Sequence, residues 1–269
     1  MTNASPTDLV ELRQRIERLA GHRCAGGVLP FGVKAIDDHL PGGGLASGAL
    51  HEIAGRDRGG VDGAAAALFA AGIAARTAGK VLWCVTRYDL FAPGLAQAGL
   101  PPDRVIYVEA KDEKALLACF EEGLRHGGLS AVVGEVSKLS MTASRRLQLA
   151  AEDSHTLGLA VRRWATAKAA NDYGQPTAAV TRWLVTAMAS SPMAGLGHDP
   201  SSKNLGSKNL GSKNIMGTAR WHLDLLRCRG GYPAAFDVEA CDGKACLALV
   251  APLVHGPAQA PDAPIRAAS

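Results

Sequence analysis

Apolar positions along the chain form short, nearly continuous runs separated by stretches with helical spacing. Residues 48–54 read as a strand that follows the Gly/Pro-rich stretch Leu40-Pro41-Gly42-Gly43-Gly44 and ends in a sharp turn at Gly55. Over 63–78 the chain is almost all alanine with Leu68, Phe69, Ile73 and Arg76, which predicts a helix whose small side chains permit close burial. The pattern then repeats. Strands are predicted over 80–86, 104–109, 130–133 and 157–161, with helices over 90–98, 112–126 and 142–151 between them. Strands that are apolar on both faces and alternate with helices imply a mainly parallel sheet flanked by helices, an α/β fold.

Beyond about residue 176 the style changes to alternating stretches over 177–188, 219–227, 236–240 and 245–250, with turn chemistry at Gly230-Gly231-Tyr232-Pro233 and Asp242-Gly243. These predict antiparallel strands added at the C-terminal end of the sheet. Between them Ser202-Lys203-Asn204-Leu205-Gly206 recurs at 207–211 and, as Ser-Lys-Asn-Ile-Met, at 212–216. A polar Gly/Ser unit buries no core, so 198–217 is expected to be a flexible loop. At the other end Leu9, Leu12, Ile16 and Leu19 share one helical face, and Ser5-Pro6-Thr7-Asp8 supplies a start signal. The organisation expected is an N-terminal helix and linker over 1–29, one core domain over 30–252, and a disordered tail over 253–269.

With 269 residues, 47% of them hydrophobic and 20% charged, the chain is long enough for one α/β domain with extensions. A formal charge of +4 is too mild to establish contact with nucleic acid. The six cysteines, at 24, 84, 119, 228, 241 and 246, include no C-x-x-C pair and are read as reduced core thiols. His51-Glu52 lacks the second histidine of a zinc helix, so neither a metal nor another cofactor is expected. No apolar run of about 18 residues occurs, and residues 1–6 lack the basic and apolar regions of a secretory signal. A cytoplasmic protein without a membrane partner is expected.

The predicted strand, turn and helix at 52–69 are where a nucleotide-binding protein carries G-x-x-x-x-G-K-[ST], whose backbone amides, lysine and hydroxyl hold phosphates and Mg²⁺. Here the chain reads Gly55-Arg56-Asp57-Arg58-Gly59-Gly60-Val61-Asp62. The glycines keep their spacing, but lysine has become Val61 and the hydroxyl residue Asp62. A carboxylate beside the terminal phosphate repels it and valine supplies no charge, so no ATP hydrolysis by that route is expected. Arg56 and Arg58 are the candidates to replace the lost cation.

Four runs carry a resemblance to a known family: PFGVKAIDDHLPGGGLASGALHEIAG from Pro30, VLWCVTRYDLFAPGLAQAGLPPDRVIYVEAKDEK from Val81, EGLRHGGLSAVVGEVSKLSMTASRRLQLAAE from Glu122 and RWHLDLLRCRGGYPAAFDVEACD from Arg220. The chain resembles ImuA, a family of bacterial RecA-like proteins of the mutagenic SOS response. The pentapeptide repeat departs from the family. The resemblance implies a RecA-like core and a noncatalytic role beside ImuB and a DnaE-type error-prone polymerase, reached through ImuB, in copying past DNA lesions.

Compared with working RecA-like ATPases, the strand over 80–86 runs into Arg87, Tyr88 and Asp89 where a catalytic glutamate is expected. The metal-binding aspartate falls near Glu135, a displaced substitute, and the polar sensor falls near Arg162-Arg163. Arg227 and Arg229, at i and i+2 near a strand end, resemble the cations that RecA extends toward a neighbouring subunit. With Leu9, Leu12, Ile16 and Leu19 they form the candidate partner interface, RecA included. Arg162, Arg163, Trp164 and Lys168 fall at the place of RecA's second DNA-binding loop and combine cations with an aromatic, a candidate for weak single-strand binding. Two alternatives stand beside the adaptor reading: a DNA-dependent ATPase of the RecA paralogue type, and a RecA-like inhibitor of cell division.

Overall fold

The computed structural model describes residues 27–56, 60–87, 89–164, 171–190 and 218–250. The expectations for Leu9, Leu12, Ile16, Leu19, Arg58, Lys168, the repeat at 202–216 and the tail lie outside these residues.

The described chain opens on a small antiparallel pair, β1 (Val28–Leu29) with β2 (Leu45–Ala46), which encloses α1 (Lys34–Asp37) and a 3-10 turn at Pro41–Gly43. The main sheet has nine strands: β3 (Leu50–Gly55), β4 (Val81–Val85), β5 (Val105–Glu109), β6 (Ala131–Val136), β7 (Leu157–Arg162), β8 (Thr181–Met188), β9 (Arg220–Cys228), β10 (Ala234–Glu239) and β11 (Ala248–Leu249), in the order β11-β10-β9-β8-β3-β7-β6-β4-β5. From β5 to β8 all neighbours are parallel. Strands β9, β10 and β11 continue the sheet antiparallel.

The stretch over 177–188 was grouped by its alternation with the antiparallel strands. Its strand β8 is instead parallel to β3 on one side and antiparallel to β9 on the other. The alternation has another cause: Trp183 and Val185 are buried on one face, while Thr186 and Met188 on the other are only partly covered.

Four further helices cover the sheet: α2 (Gly60–Ala75), α3 (Ala92–Gln97), α4 (Glu113–Arg125) and α5 (Met141–Ser154). Helix α2 is apolar nearly all round, as a helix inside a core must be, and Ala66, Phe69, Ala70 and Ala74 are fully buried. Phe69 stacks on Phe31 at 5.8 Å between ring centroids and meets Trp183 edge-on at 5.7 Å. This core lies on one face of the sheet, and a second, with Leu116, Phe120, Leu124 and Leu147 from α4 and α5, lies on the other.

Helix ends follow local chemistry. Asp112 accepts the Ala115 amide at the start of α4 (2.7 Å) and Ser140 accepts that of Ala143 at the start of α5 (3.2 Å). Helix α2 starts three residues earlier than expected and ends at Ala75, where Arg104 donates to the carbonyls of Ala75 (2.7 Å), Thr77 (2.6 Å) and Gly79 (2.7 Å). Cys84 and Cys228 are buried, as core thiols should be. Cys119 and Cys241 are partly covered, and Cys246 is exposed beside the tight turn in which Ala245 N–H bonds Asp242 O, which corrects the expectation for that residue.

Candidate functional site: a polar cavity at the carboxyl ends of the strands

The adjacent strands β4 and β6 send their connections in opposite directions, to β5 and to β7, and at such a point the carboxyl ends of parallel strands leave a crevice. A cavity of about 700 Å³ lies there, walled by Gly60, Gly63 and Ala64 of α2, Thr86, Arg87 and Asp89 after β4, Lys111 to Glu113 at the start of α4, Glu135 and Ser137 at β6, and Arg162 to Trp164 after β7.

Of the degenerate loop residues that are described, Gly60 lines the cavity, while Gly55, Arg56, Val61 and Asp62 do not. Gly55 ends β3 pressed against α2: a Cβ there would come within 2.5 Å of the Asp62 carbonyl carbon, so only glycine lets strand and helix meet. Arg56 turns toward β8 and β9, donating to Thr186 Oγ1 (2.9 Å) and pairing with Asp224, so it does not replace the missing lysine. Val61, at the lysine position, is 71% exposed. The Asp62 carboxylate, expected to repel a phosphate, is buried and accepts the Ala187 N–H of β8 at 2.8 Å. The carboxylate thus satisfies a backbone donor at the end of β8 and ties the first turn of α2 to the sheet.

Glu135 does reach the cavity. It is buried, accepts the Trp83 indole N–H at 2.9 Å and pairs with Arg163 Nε at 3.3 Å. Burial pushes its carboxyl above the ordinary range, the Asp89 charge adds to this, and Arg163 and the Trp83 bond oppose it. Arg163 also bonds Asp89 at 2.5 Å. Both carboxylates nearest the place of a metal ligand therefore share one guanidinium from their own chain.

The candidate DNA-binding set is corrected at its first member. Arg162 is fully buried and donates to Glu52 Oε1 (2.8 Å) and the Ser137 carbonyl (3.0 Å). Arg163 is held by the two acids. Trp164 donates its indole N–H to the Gly55 carbonyl (3.0 Å), with the Arg162 guanidinium 5.3 Å from its ring centroid and Tyr173 edge-on at 5.4 Å. The two cations and the ring are thus held by partners within the chain.

Sequence reasoning missed the residue at the centre of that closure. Glu52, in the middle of β3, is fully buried and also accepts from Arg182 Nε (3.0 Å) and Thr177 Oγ1 (2.8 Å). Burial and the charge of Glu52 raise the Tyr173 hydroxyl far above its ordinary range, and that hydroxyl donates to the Trp183 carbonyl at 2.6 Å. The available signal was an acid inside an otherwise apolar strand, since an acid there needs a cation.

Arg227 and Arg229 lie at the opposite end of the strands from the cavity, beside the amino end of β8. Both are exposed, and they donate to the Thr177 (2.7 Å) and Ala178 (3.1 Å) carbonyls respectively.

No family model matches the chain. Among curated proteins it is similar to Protein ImuA from two strains of Caulobacter vibrioides, 36% identical over 230 residues in each case, covering 82% of this chain and 86% of the relative. Among solved structures it is similar to the RadB recombinase, 14% identical, with 83% of this chain and 100% of that chain covered at a TM-score of 0.52. SulA from Pseudomonas aeruginosa matches 42% of this chain and 96% of its own at 25% identity, with a TM-score of 0.36. The fold is RecA-like: a mainly parallel sheet between helices, extended by antiparallel strands at its C-terminal end.

Proposed function

Because the chain belongs to the ImuA family, we propose that it is a RecA-like adaptor without ATP hydrolysis, acting in damage-induced, error-prone DNA synthesis. In this reading it assembles with ImuB, and through ImuB with a DnaE-type polymerase, and Arg227 and Arg229 present an exposed cationic edge to RecA.

The observation that carries the noncatalytic part is the rearrangement at the head of α2. The lysine position holds an exposed valine, the hydroxyl position holds a carboxylate bonded to Ala187 N–H, and Arg163 ties up Glu135 and Asp89. Phosphoryl transfer needs cations around the terminal phosphate, a metal ligand and a group that orients the nucleophile. The lysine and hydroxyl positions hold Val61 and the engaged Asp62, Glu135 is paired with Arg163, and an exposed arginine, Arg87, stands where an orienting carboxylate would be.

Assays of catalysis, mutagenesis and binding test the reading. Phosphate release by the purified chain, with ATP, Mg²⁺ and single-stranded DNA, is expected to stay at background. Release above background that Glu135→Gln abolishes would establish the ATPase alternative instead. Deleting the gene is expected to lower damage-induced mutation frequency, and purified chain is expected to retain ImuB in a pull-down; filamentation on overexpression with unchanged mutation frequency would favour a division inhibitor. If RecA is retained equally by wild type and by the Arg227→Ala, Arg229→Ala double variant, the arginines drop out of the account.

A further inference from the structure

Beside the cavity lies an uncovered apolar stripe. Val61 and Phe91 are 71% and 69% exposed, the two most exposed large apolar side chains among the described residues. Val61, Ala64 and Leu68 follow one another at i, i+3 and i+7 and so share one face of α2. Leu68 and Phe91 converge on one point, since a Cβ on Gly94 would lie 3.5 Å from Leu68 Cδ2 and 3.2 Å from Phe91 Cδ1. Ala64 belongs to both stripe and cavity wall, and Arg87 and Asp89 lead from the wall into Leu90 and Phe91. Stripe and cavity are one continuous surface.

Its charges indicate what it can take. Basic and acidic residues in the cavity wall are formally balanced, but they are not equally occupied. Asp89 and Glu135 bond Arg163, Asp112 caps α4, and Glu113 accepts the amides of Ser137 (2.7 Å) and Lys138 (3.0 Å). Arg162 is paired with Glu52. Arg87 and Lys111 remain exposed at the mouth, and among the described residues neither is in an ion pair. The groups open to an outside partner are thus a row of apolar side chains and two cations next to it.

We propose that this surface docks a short segment of a partner protein that places bulky apolar residues on the Val61–Leu68–Phe91 stripe and a carboxylate at Arg87 and Lys111. This rests on the adaptor reading and gives it a site: the position that lost its phosphate-binding lysine has become a point of attachment. Apolar anchors set beside a charge-complementary rim are the general form of helix-in-groove recognition.

Selection of a random 16-residue phage-displayed library on the purified chain tests it, followed by fluorescence anisotropy with the enriched peptides. Enriched sequences are expected to set Asp or Glu next to two or three bulky apolar residues. Val61→Asp and Phe91→Ser, exposed positions whose folding is checked by thermal melting, are expected to weaken binding by about tenfold or more. The Arg87→Glu, Lys111→Glu double variant is expected to lose the acidic peptides and to select basic ones. Absence of enrichment, enriched peptides lacking acids, or affinity unchanged by Val61→Asp and Phe91→Ser would overturn the proposal. A dimer in sedimentation velocity that Phe91→Ser dissolves would overturn it too, with a second copy as the occupant. Normal mutation frequency in the deletion strain, with peptide binding intact, would defeat the adaptor reading and leave the site standing.

Discussion

Asp62 and Arg162 show how a side chain read as functional can be consumed by the fold. Asp62→Ala leaves the Ala187 N–H without its acceptor, a loss expected to cost roughly 1–3 kcal/mol, while Asp62→Asn retains an acceptor and costs less. Thermal or urea unfolding of the three proteins checks the ranking; equal stability of Asp62→Ala and wild type would remove the latch from the account. Arg162→Ala strands the Glu52 carboxylate in the core with one cation instead of two. Breaking a buried pair in this way typically costs about 3–5 kcal/mol. The variant is therefore expected to accumulate poorly, and any loss of DNA retention on a column should track its loss of folded protein by circular dichroism. A folded Arg162→Ala chain that alone loses DNA would restore the contact role.

At the scale of elements, the junction of β3 and α2 decides the geometry of the cavity. Gly55→Ala would set a methyl about 2.5 Å from the Asp62 carbonyl carbon and 2.7 Å from the Gly63 nitrogen, both backbone atoms that cannot swing aside. The helix would have to move off the strand, and a clear drop in melting temperature is expected, with much less effect from Gly60→Ala, where a Cβ would meet nothing within 4 Å. Comparable melting of the two variants would show that the contact is slack. The elements of the main sheet and the helices that cover it were legible in the chain: the 63–78 alanine run, the helical spacing at 116, 117, 120 and 124, and the apolar runs fell on real helices and strands, with ends displaced by a few residues, whereas the short β1, β2 and α1 left no periodic signal. Strand direction at β8 was not legible, because alternation reports which faces are covered and carries no record of pairing sense. Side-chain engagement was not legible either. Arg56, Asp62, Arg162 and Trp164 sit at sequence positions that suggest ligands, and only the fold reveals that carbonyls, amides and acids from β3, β8 and β9 had already claimed them.

Across the whole molecule, His51 links the small β1–β2 sheet to the main one. Fully buried, it approaches the Ala46 carbonyl through Nε2 (2.9 Å) and Thr181 Oγ1 through Nδ1 (2.8 Å), and Thr181 Oγ1 accepts from the Trp183 indole at 2.9 Å. The pattern fits a neutral ring protonated on Nε2. Burial lowers its pKa from 6.5 to about 4, opposed by the Ala46 bond. The unfolded chain then binds a proton between those values that the folded chain does not, so stability falls as pH drops through that window. From pH 7 to pH 5 the loss attributable to this group is about 2 kcal/mol. Urea midpoints at the two pH values should show it, and His51→Gln should have a shallower dependence. An equal slope in both proteins would assign the effect elsewhere.

The hydrogen bond from Ala187 to Asp62 also sets what it would cost to build a phosphate loop at this place. Placing threonine at 62 would remove the carboxylate that fastens α2 to β8, and lysine at 61 beside it would still leave Arg163 paired with Glu135 and Asp89. Val61→Lys, at an exposed position, is expected to leave stability nearly unchanged, whereas Asp62→Thr removes the carboxylate that accepts the Ala187 N–H. On the proposed adaptor reading, building a working phosphate loop here would therefore take more than one substitution, at a cost in the contact between helix and sheet.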